Sequence, residues 1–236
     1  MTRDRIDVTM HRFTLSNCLI VAAASLAAGF VAAQSTRTAD EGWIRLWDGK
    51  TLDGWEHLGP DGFTIENGLL KSHGGMGLLW YTKRKFGTGD TIRVVFKTEK
   101  PDSNSGVFIR FPDPPKDPWY PIHFGYEVQI DNSDDDWHCT GVIYSMSKAK
   151  ARPQKAPGEW NTMDITLRGD ETIVWLNGIL ITDFHDRPLA AGTPPRKEWY
   201  EGVRGPRAET GYMGVQNEGE SSGVFFREIS YRHSAK

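Results

Sequence analysis

The sequence predicts an all-β chain folded as a sandwich of two antiparallel sheets. Three observations carry that expectation. From Trp43 onward, apolar and polar residues alternate with a period of two, the spacing that sends successive side chains to opposite faces of a strand. Turn residues punctuate the alternation at short intervals, with Asn-Gly at 67–68 and 177–178; this dipeptide accepts the left-handed backbone of a two-residue hairpin. The chain also carries 25 Gly and 9 Trp, which suits tight turns, bulges and a β core. No stretch shows an apolar stripe at helical spacing.

The elements follow in order. Trp43 to Trp47 reads as a strand, turned by Asp48-Gly49-Lys50. Phe63 to Glu66 and Leu69 to Lys71 flank Asn67-Gly68 as a hairpin. Thr91 to Lys97, Gly106 to Arg110, Gly125 to Asp131 and Gly141 to Tyr144 are further strands. Trp160 to Arg168, Thr172 to Leu176 and Ile179 to Phe184 form a meander turned at Gly169-Asp170 and Asn177-Gly178. Tyr212 to Gln216 and Gly223 to Tyr231 close the chain. Two segments break the pattern: the proline-rich run Pro112 to Pro121, and Asp186 to Arg207, rich in proline, glycine and charge. Long loops on a rigid sheet are where sites form.

A formal net charge of -3 over 236 residues, with no long run of one sign, lacks the electrostatic footprint of a nucleic-acid binder. The N-terminus reads as an export signal. Arg3, Arg5 and Arg12 precede the uncharged apolar run Leu19 to Ala33, and Val31-Ala32-Ala33 offers small residues for cleavage. That run is about 15 residues, short of the roughly 20 that a spanning helix needs. Residues 1–33 are therefore expected to be a signal peptide, 34–41 a polar lead-in and 42–233 a single sandwich domain. The protein is expected to work in the periplasm or outside the cell, with no membrane contact after cleavage. Cys18 precedes the apolar run, against a lipid anchor. After cleavage Cys139 is the remaining cysteine of the 2, so no intramolecular disulfide is available.

Several segments carry a resemblance in order along the chain. Leu46 to Trp55 reads Leu-Trp-Asp-Gly-Lys-Thr-Leu-Asp-Gly-Trp. Asn104 to Arg110, Gly125 to Asp131, Thr140 to Tyr144, Gly158 to Asn161, Val174 to Gly178, and Gly214 to Asn217 with Phe226 to Ile229 follow it. The series resembles the 3-keto-disaccharide hydrolase family, long known as a domain of unknown function. The resemblance implies a concanavalin A-like jelly roll and a carbohydrate substrate. It also implies cleavage of glycosides already oxidised to a ketone at sugar carbon 3. A C3 carbonyl acidifies the C2 hydrogen; a base removes it, the C1 substituent leaves by elimination, and water adds to the enone. This route needs a base, an acid for the leaving oxygen and a group that holds the enolate. The fold alone leaves a non-catalytic, lectin-like carbohydrate-binding module as the alternative.

The candidate site starts at Gly125 to Asp131, where Glu127, Gln129 and Asp131 share one strand face. Family 16 glycoside hydrolases place two catalytic acids on such a strand. Positions 127 and 131 are roughly 13 Å apart between α-carbons, whereas a retaining pair needs carboxyls about 5–5.5 Å apart. Base-initiated elimination is thus favoured over double displacement. Glu127 and His138 are the expected proton-handling pair; His138 is equally a candidate acid, base or metal ligand, since imidazole titrates near neutrality. Arg110 is expected to hold an oxyanion or a sugar hydroxyl, or else to form a salt bridge. Gln129 and Asp131 position substrate, Trp119 and Trp137 offer aromatic platforms, and Asn217 lines the cleft with Gln216. Trp80, His73 and His123 are weaker candidates. The acidic run Asp131, Asp134, Asp135, Asp136 lacks calcium-loop spacing. A divalent metal near Glu127 and His138 would stabilise an enolate, and no pattern demands one. Phosphate-loop, dinucleotide and Ser-His-Asp motifs are missing. Oligomeric state is not encoded in any visible pattern.

Overall fold

A computed structural model describes residues 42–187, 207–219 and 223–234. The expected signal peptide, the lead-in and most of the Asp186 to Arg207 segment lie outside the described residues. The strands are β1 (Ile44–Arg45), β2 (Trp55–Leu58), β3 (Gly62–Glu66), β4 (Leu69–His73), β5 (Gly77–Tyr81), β6 (Asp90–Thr98) and β7 (Asn104–Phe111). A short helix α1 (Tyr120–Phe124) precedes β8 (Tyr126–Asp131), β9 (Asn161–Arg168), β10 (Glu171–Leu176), β11 (Ile179–His185), β12 (Tyr212–Asn217) and β13 (Val224–His233). They form an 8-stranded sheet in the order β11-β10-β9-β6-β13-β4-β3, with β1 beside β13, and a 5-stranded sheet in the order β2-β5-β12-β7-β8. Every pairing among these strands is antiparallel. The all-β sandwich is the one the sequence predicts.

The two inner faces build one core. From the larger sheet come Ile92, Val94 and Phe96 of β6, Met163, Ile165 and Leu167 of β9, and Phe226 and Ile229 of β13. From the smaller come Val107 and Ile109 of β7, Val128 and Ile130 of β8, and Met213 and Val215 of β12. Alternation is the cause: β9 buries every second residue until its last, and its intervening Thr162, Asp164 and Thr166 face outward. Both Asn-Gly hairpins turn as expected, with φ of 52° at Asn67 and at Asn177 and positive φ at the following glycines.

Three expectations are corrected. β2 and β5 were not visible in the sequence; β5 is buried on both faces over Gly77 to Trp80, so it has no alternation to read. The helix α1 was not expected, and at 5 residues it is too short for a periodic stripe. Gly141 to Tyr144 is an irregular edge segment beside β8, not a strand, joined through the bridge Val128–Ile143. Its extra residue arises where Gln129 bonds both Val142 O and Gly141 N, with Gly141 at φ 92°.

Candidate active site on the five-stranded sheet

The outer face of the five-stranded sheet is divided in two. One half is apolar: Leu78, Trp80, Phe108 and Phe111 form a second cluster, covered by Tyr120 and Ile122 from the proline-rich loop and its helix. Pro118 of that loop reaches the turn after β2, where a Cβ on Gly59 would meet it at 3.2 Å. The other half is polar, and its layout follows from register. Phe108 pairs with Glu127, Gly106 with Gln129 and Asn104 with Asp131 across β7 and β8. Val215 pairs with Val107 across β12 and β7, so Gln216 follows beside Gly106. Because Val128 and Ile130 enter the core, Glu127, Gln129 and Asp131 turn to the opposite face together.

Gly106 gives the Glu127 carboxyl its place. A Cβ there would collide with Glu127 Oε1 and stand 2.8 Å from its Cγ. The side chain therefore lies across β7 toward β12 rather than rising from the sheet. In the amide orientation that satisfies its neighbours, Gln129 donates to Glu127 Oε1 at 3.0 Å and to the Ser105 carbonyl at 3.1 Å, with Asn104 at 3.1 Å on its other side. Glu127 keeps partial access to solvent, yet protein atoms ring its carboxyl. Burial, with the Glu218 charge adding to it, holds that carboxyl well above the usual carboxylate range. Glu218 follows the end of β12; its own carboxyl is raised by burial first and by Asp131 second. Gln216, only 2% exposed, donates to Met76 Sδ at 3.4 Å and leaves Oε1 without a partner. Trp80 Nε1, on the apolar half of the face, is buried and unpartnered as well.

The edge segment adds two rings. Tyr144 N donates to Glu127 O at 2.9 Å, which seats Tyr144 next to Glu127. His138 stacks on Tyr144 with ring centroids 4.8 Å apart. Its Nδ1 lies 2.8 Å from Asp135 Oδ1 and its Nε2 3.1 Å from Ser145 Oγ. His138 is thus linked through Tyr144 to the Glu127 backbone, while the Glu127 carboxyl leans the other way over Gly106.

The remaining expected residues have other surroundings. Asp131 accepts from Ser133 N and Oγ, each at 2.8 Å, and from Asp134 N at 3.3 Å; it caps the turn after β8 on the edge of the polar face. Arg110 is 2% exposed, and its guanidinium donates to the carbonyls of Gly169, Glu171 and Glu209. Its two terminal nitrogens are spent on main-chain carbonyls and Nε is buried without a partner, so it is a strut from β7 to the β9–β10 turn rather than the expected oxyanion or carboxylate partner. Asn217 is fully buried. Its Nδ2 donates to Pro60, His73 and Gly75 carbonyls and its Oδ1 lies 3.1 Å from His57 Nε2, so it ties loops together. Trp119 stands at the N-cap of α1, 39% exposed, on the loop over the apolar half. Trp137 N donates to Asp135 Oδ1 at 2.7 Å, in the turn that carries His138.

Among the described residues, Asp134, Asp135 and His138 hold ligand-type atoms within 4.8 Å of one another, as do Glu171, Asp183 and His185 at the sheet edge. Glu127 is in neither group. Sequence reasoning missed Tyr144, Asn104 and Glu218 as site residues. For Asn104 and Glu218, period-two alternation from Gly106 and Gln216 was an available signal.

Fold and site together define a class: a concanavalin A-like sandwich with a carboxyl-bearing polar face. A family model described as the 3-keto-alpha-glucoside-1,2-lyase-like domain matches residues 42–232, and the chain belongs to that family. The 3-keto-disaccharide hydrolase of Bacteroides thetaiotaomicron is 25% identical over 231 residues, covering 80% of this chain and 77% of that protein. The crystal structure of a candidate glycosyl hydrolase from Parabacteroides distasonis is 26% identical, covers 81% of this chain and 99% of its own, and superposes with a TM-score of 0.66. A carbohydrate-binding module from Bacillus subtilis, 13% identical, covers 76% of this chain and 95% of its own with a TM-score of 0.52; it shares the fold. Among the described residues, no helix is long and apolar enough to cross a membrane.

Proposed function

We propose that this chain is an exported hydrolase of 3-keto glycosides that begins by removing the C2 proton. The observation that carries the reading is Glu127: a carboxyl laid over Gly106, held by Gln129 and raised by burial. A base that takes a proton from carbon gains from a raised pKa, provided it is still ionised in a useful fraction near working pH. Family membership and the Bacteroides relative's name support the substrate class. In this reading Glu127 takes the C2 proton, while the Gln129 and Asn104 amides orient the sugar. Tyr144, seated by its backbone beside Glu127, is the donor assigned to the C3 oxygen as enolate charge develops.

The test is turnover of a 3-keto disaccharide by the processed chain. Cleavage is expected with the keto sugar and not with its unoxidised parent, and Glu127→Gln should lower kcat by about 100-fold or more. Full activity in that variant would remove Glu127 from the chemistry. The shared fold with the Bacillus subtilis binding module favours one rival, a domain that binds glycan without cutting it. That rival predicts saturable binding to an unoxidised glycan and no bond cleavage with either sugar.

A further inference from the structure

Elimination needs an acid as well as a base, and the fold places a second carboxyl on the base's own face. We propose that Glu218 is the residue that protonates the departing C1 oxygen, working opposite Glu127; this rests on the keto-glycoside reading above. Alternation carries the placement. Met213 and Val215 enter the core, so Gln216 turns to the outer face, and Glu218, one further step of two, follows it. The register that sets Val215 against Val107 runs on to bring Glu218 toward Asn104, whose partner on β8 is Asp131. Glu127 leans from β8 across Gly106 toward this strand. The two side chains therefore converge over β7 from opposite sides. The charges place these groups within reach of one another: the Glu218 charge raises Glu127, and the Asp131 charge raises Glu218.

A second, independent observation points to a ligand beside them. Gln216 Oε1, next to Gly106 on the same face, is buried without a partner. An orphaned acceptor in a folded chain carries a desolvation penalty, and it suits a molecule bearing hydroxyls, which donates to it. His138, by contrast, has both ring nitrogens engaged, with Asp135 and Ser145.

The proton count closes. Two neighbouring carboxyls titrate as a pair, and the reactive form is the one with Glu127 ionised and Glu218 protonated. In it Glu127 takes the C2 proton as the C2–H bond breaks. The electron pair forms the C1–C2 double bond and expels the C1–O bond. Protonated Glu218 gives its proton to the leaving oxygen. In the return step, water forms the new C1–O bond and gives its proton to Glu218, while Glu127 returns its proton to C2. One water is consumed and both carboxyls end as they began.

The experiment compares leaving groups. Wild type, Glu218→Gln and Glu127→Gln would be assayed on a 3-keto glucoside with an alkyl leaving group and on one with 4-nitrophenyl, which departs without protonation. In parallel, C2 hydrogen–deuterium exchange would be followed by NMR on a 3-keto-1,5-anhydroglucitol, which has no leaving group. Glu218→Gln is expected to lose about 100-fold or more on the alkyl substrate, in the range of general acid catalysis. On the nitrophenyl substrate it should lose less than about 10-fold, and it should keep C2 exchange. Equal losses on both leaving groups, or no loss on either, would overturn the assignment of Glu218. Exchange surviving in Glu127→Gln is a different failure, since it removes the base on which the assignment rests.

Discussion

Glu127 sits where a charge is disfavoured, and that has a consequence for stability as well as for chemistry. Its folded-state pKa is raised by burial and by Glu218, so the folded chain binds this proton more tightly than the unfolded chain. The resulting stabilisation is fully present below the ordinary glutamate value and is lost as pH climbs through the raised folded value. Glu127→Gln, neutral at every pH, is therefore expected to melt higher than wild type at pH 8, with the gap closing toward pH 4. Thermal melts of both proteins at the two pH values check this; a gap that does not change with pH would mean the carboxyl is not held up. Gly106→Ala tests the cradle. Its backbone is not in the left-handed region, and the colliding atoms belong to the flexible Glu127 side chain. A displaced carboxyl should cost activity about 10-fold or more, since small misplacements of a catalytic group are expensive, while the melting temperature changes little. The shared face of Glu127, Gln129 and Asp131 was legible in the sequence because period-two alternation needs no knowledge of neighbours. Glu218 could be placed on the face of Gln216 by the same alternation, but its relation to Glu127 could not be read, because that depends on β12, β7 and β8 lying side by side. That order is set by the packing of the whole sheet.

At the level of elements, β7 is fixed by Arg110 rather than opened by it. Arg110 takes φ 61°, unusual for a side chain of this size, and spans from β7 to the β9–β10 turn and to Glu209 ahead of β12. Nearby, Asp186 accepts from the Tyr126 hydroxyl and from Arg207 N, and Arg207 Nε donates to Gly125 O at 3.1 Å. The two ends of the segment between residues 187 and 207 are thereby pinned to the start of β8, next to Glu127. Arg110→Met leaves buried carbonyls without donors and is expected to destabilise the fold by roughly 1–3 kcal/mol. Activity per folded molecule should be kept, because the guanidinium does not reach the polar face. Urea unfolding with activity assayed below the transition separates this from a substrate-binding role, which would raise KM without lowering stability. Most strands were legible for the same reason that Arg110 was misleading: sequence shows which residues alternate, not where a strand's last residue swings. β9 presents an apolar inner face and a polar outer one, and Asn177-Gly178 marks the hairpin from β10 to β11. β5 reads Gly-Leu-Leu-Trp-Tyr with both faces covered, one by the main core and one by the second cluster. Its partner β2 spans only 4 residues.

For the whole molecule, Cys139 offers a single probe of both cooperativity and processing. It is fully buried in the core that the two sheets share, it is unbridged, and burial pushes its thiol pKa up. Thiolate is the reactive form, so the folded chain should resist a thiol reagent at neutral pH. If the two sheets melt as one unit, as a common core dictates, labelling of Cys139 should appear along the same urea curve as the loss of tryptophan fluorescence. Labelling well below that midpoint would mean that the edge segment carrying Cys139 opens alone, taking Tyr144 and His138 with it. The same reagent counts thiols in the denatured chain. The full sequence has 2 cysteines, one of them Cys18 within the expected signal peptide. Protein recovered from the periplasm or medium should therefore yield one thiol per unfolded chain, with its first residue at Gln34 by N-terminal sequencing. A second reactive thiol in that fraction would show that the leader is retained, and the export route proposed here would then have to be an anchored one.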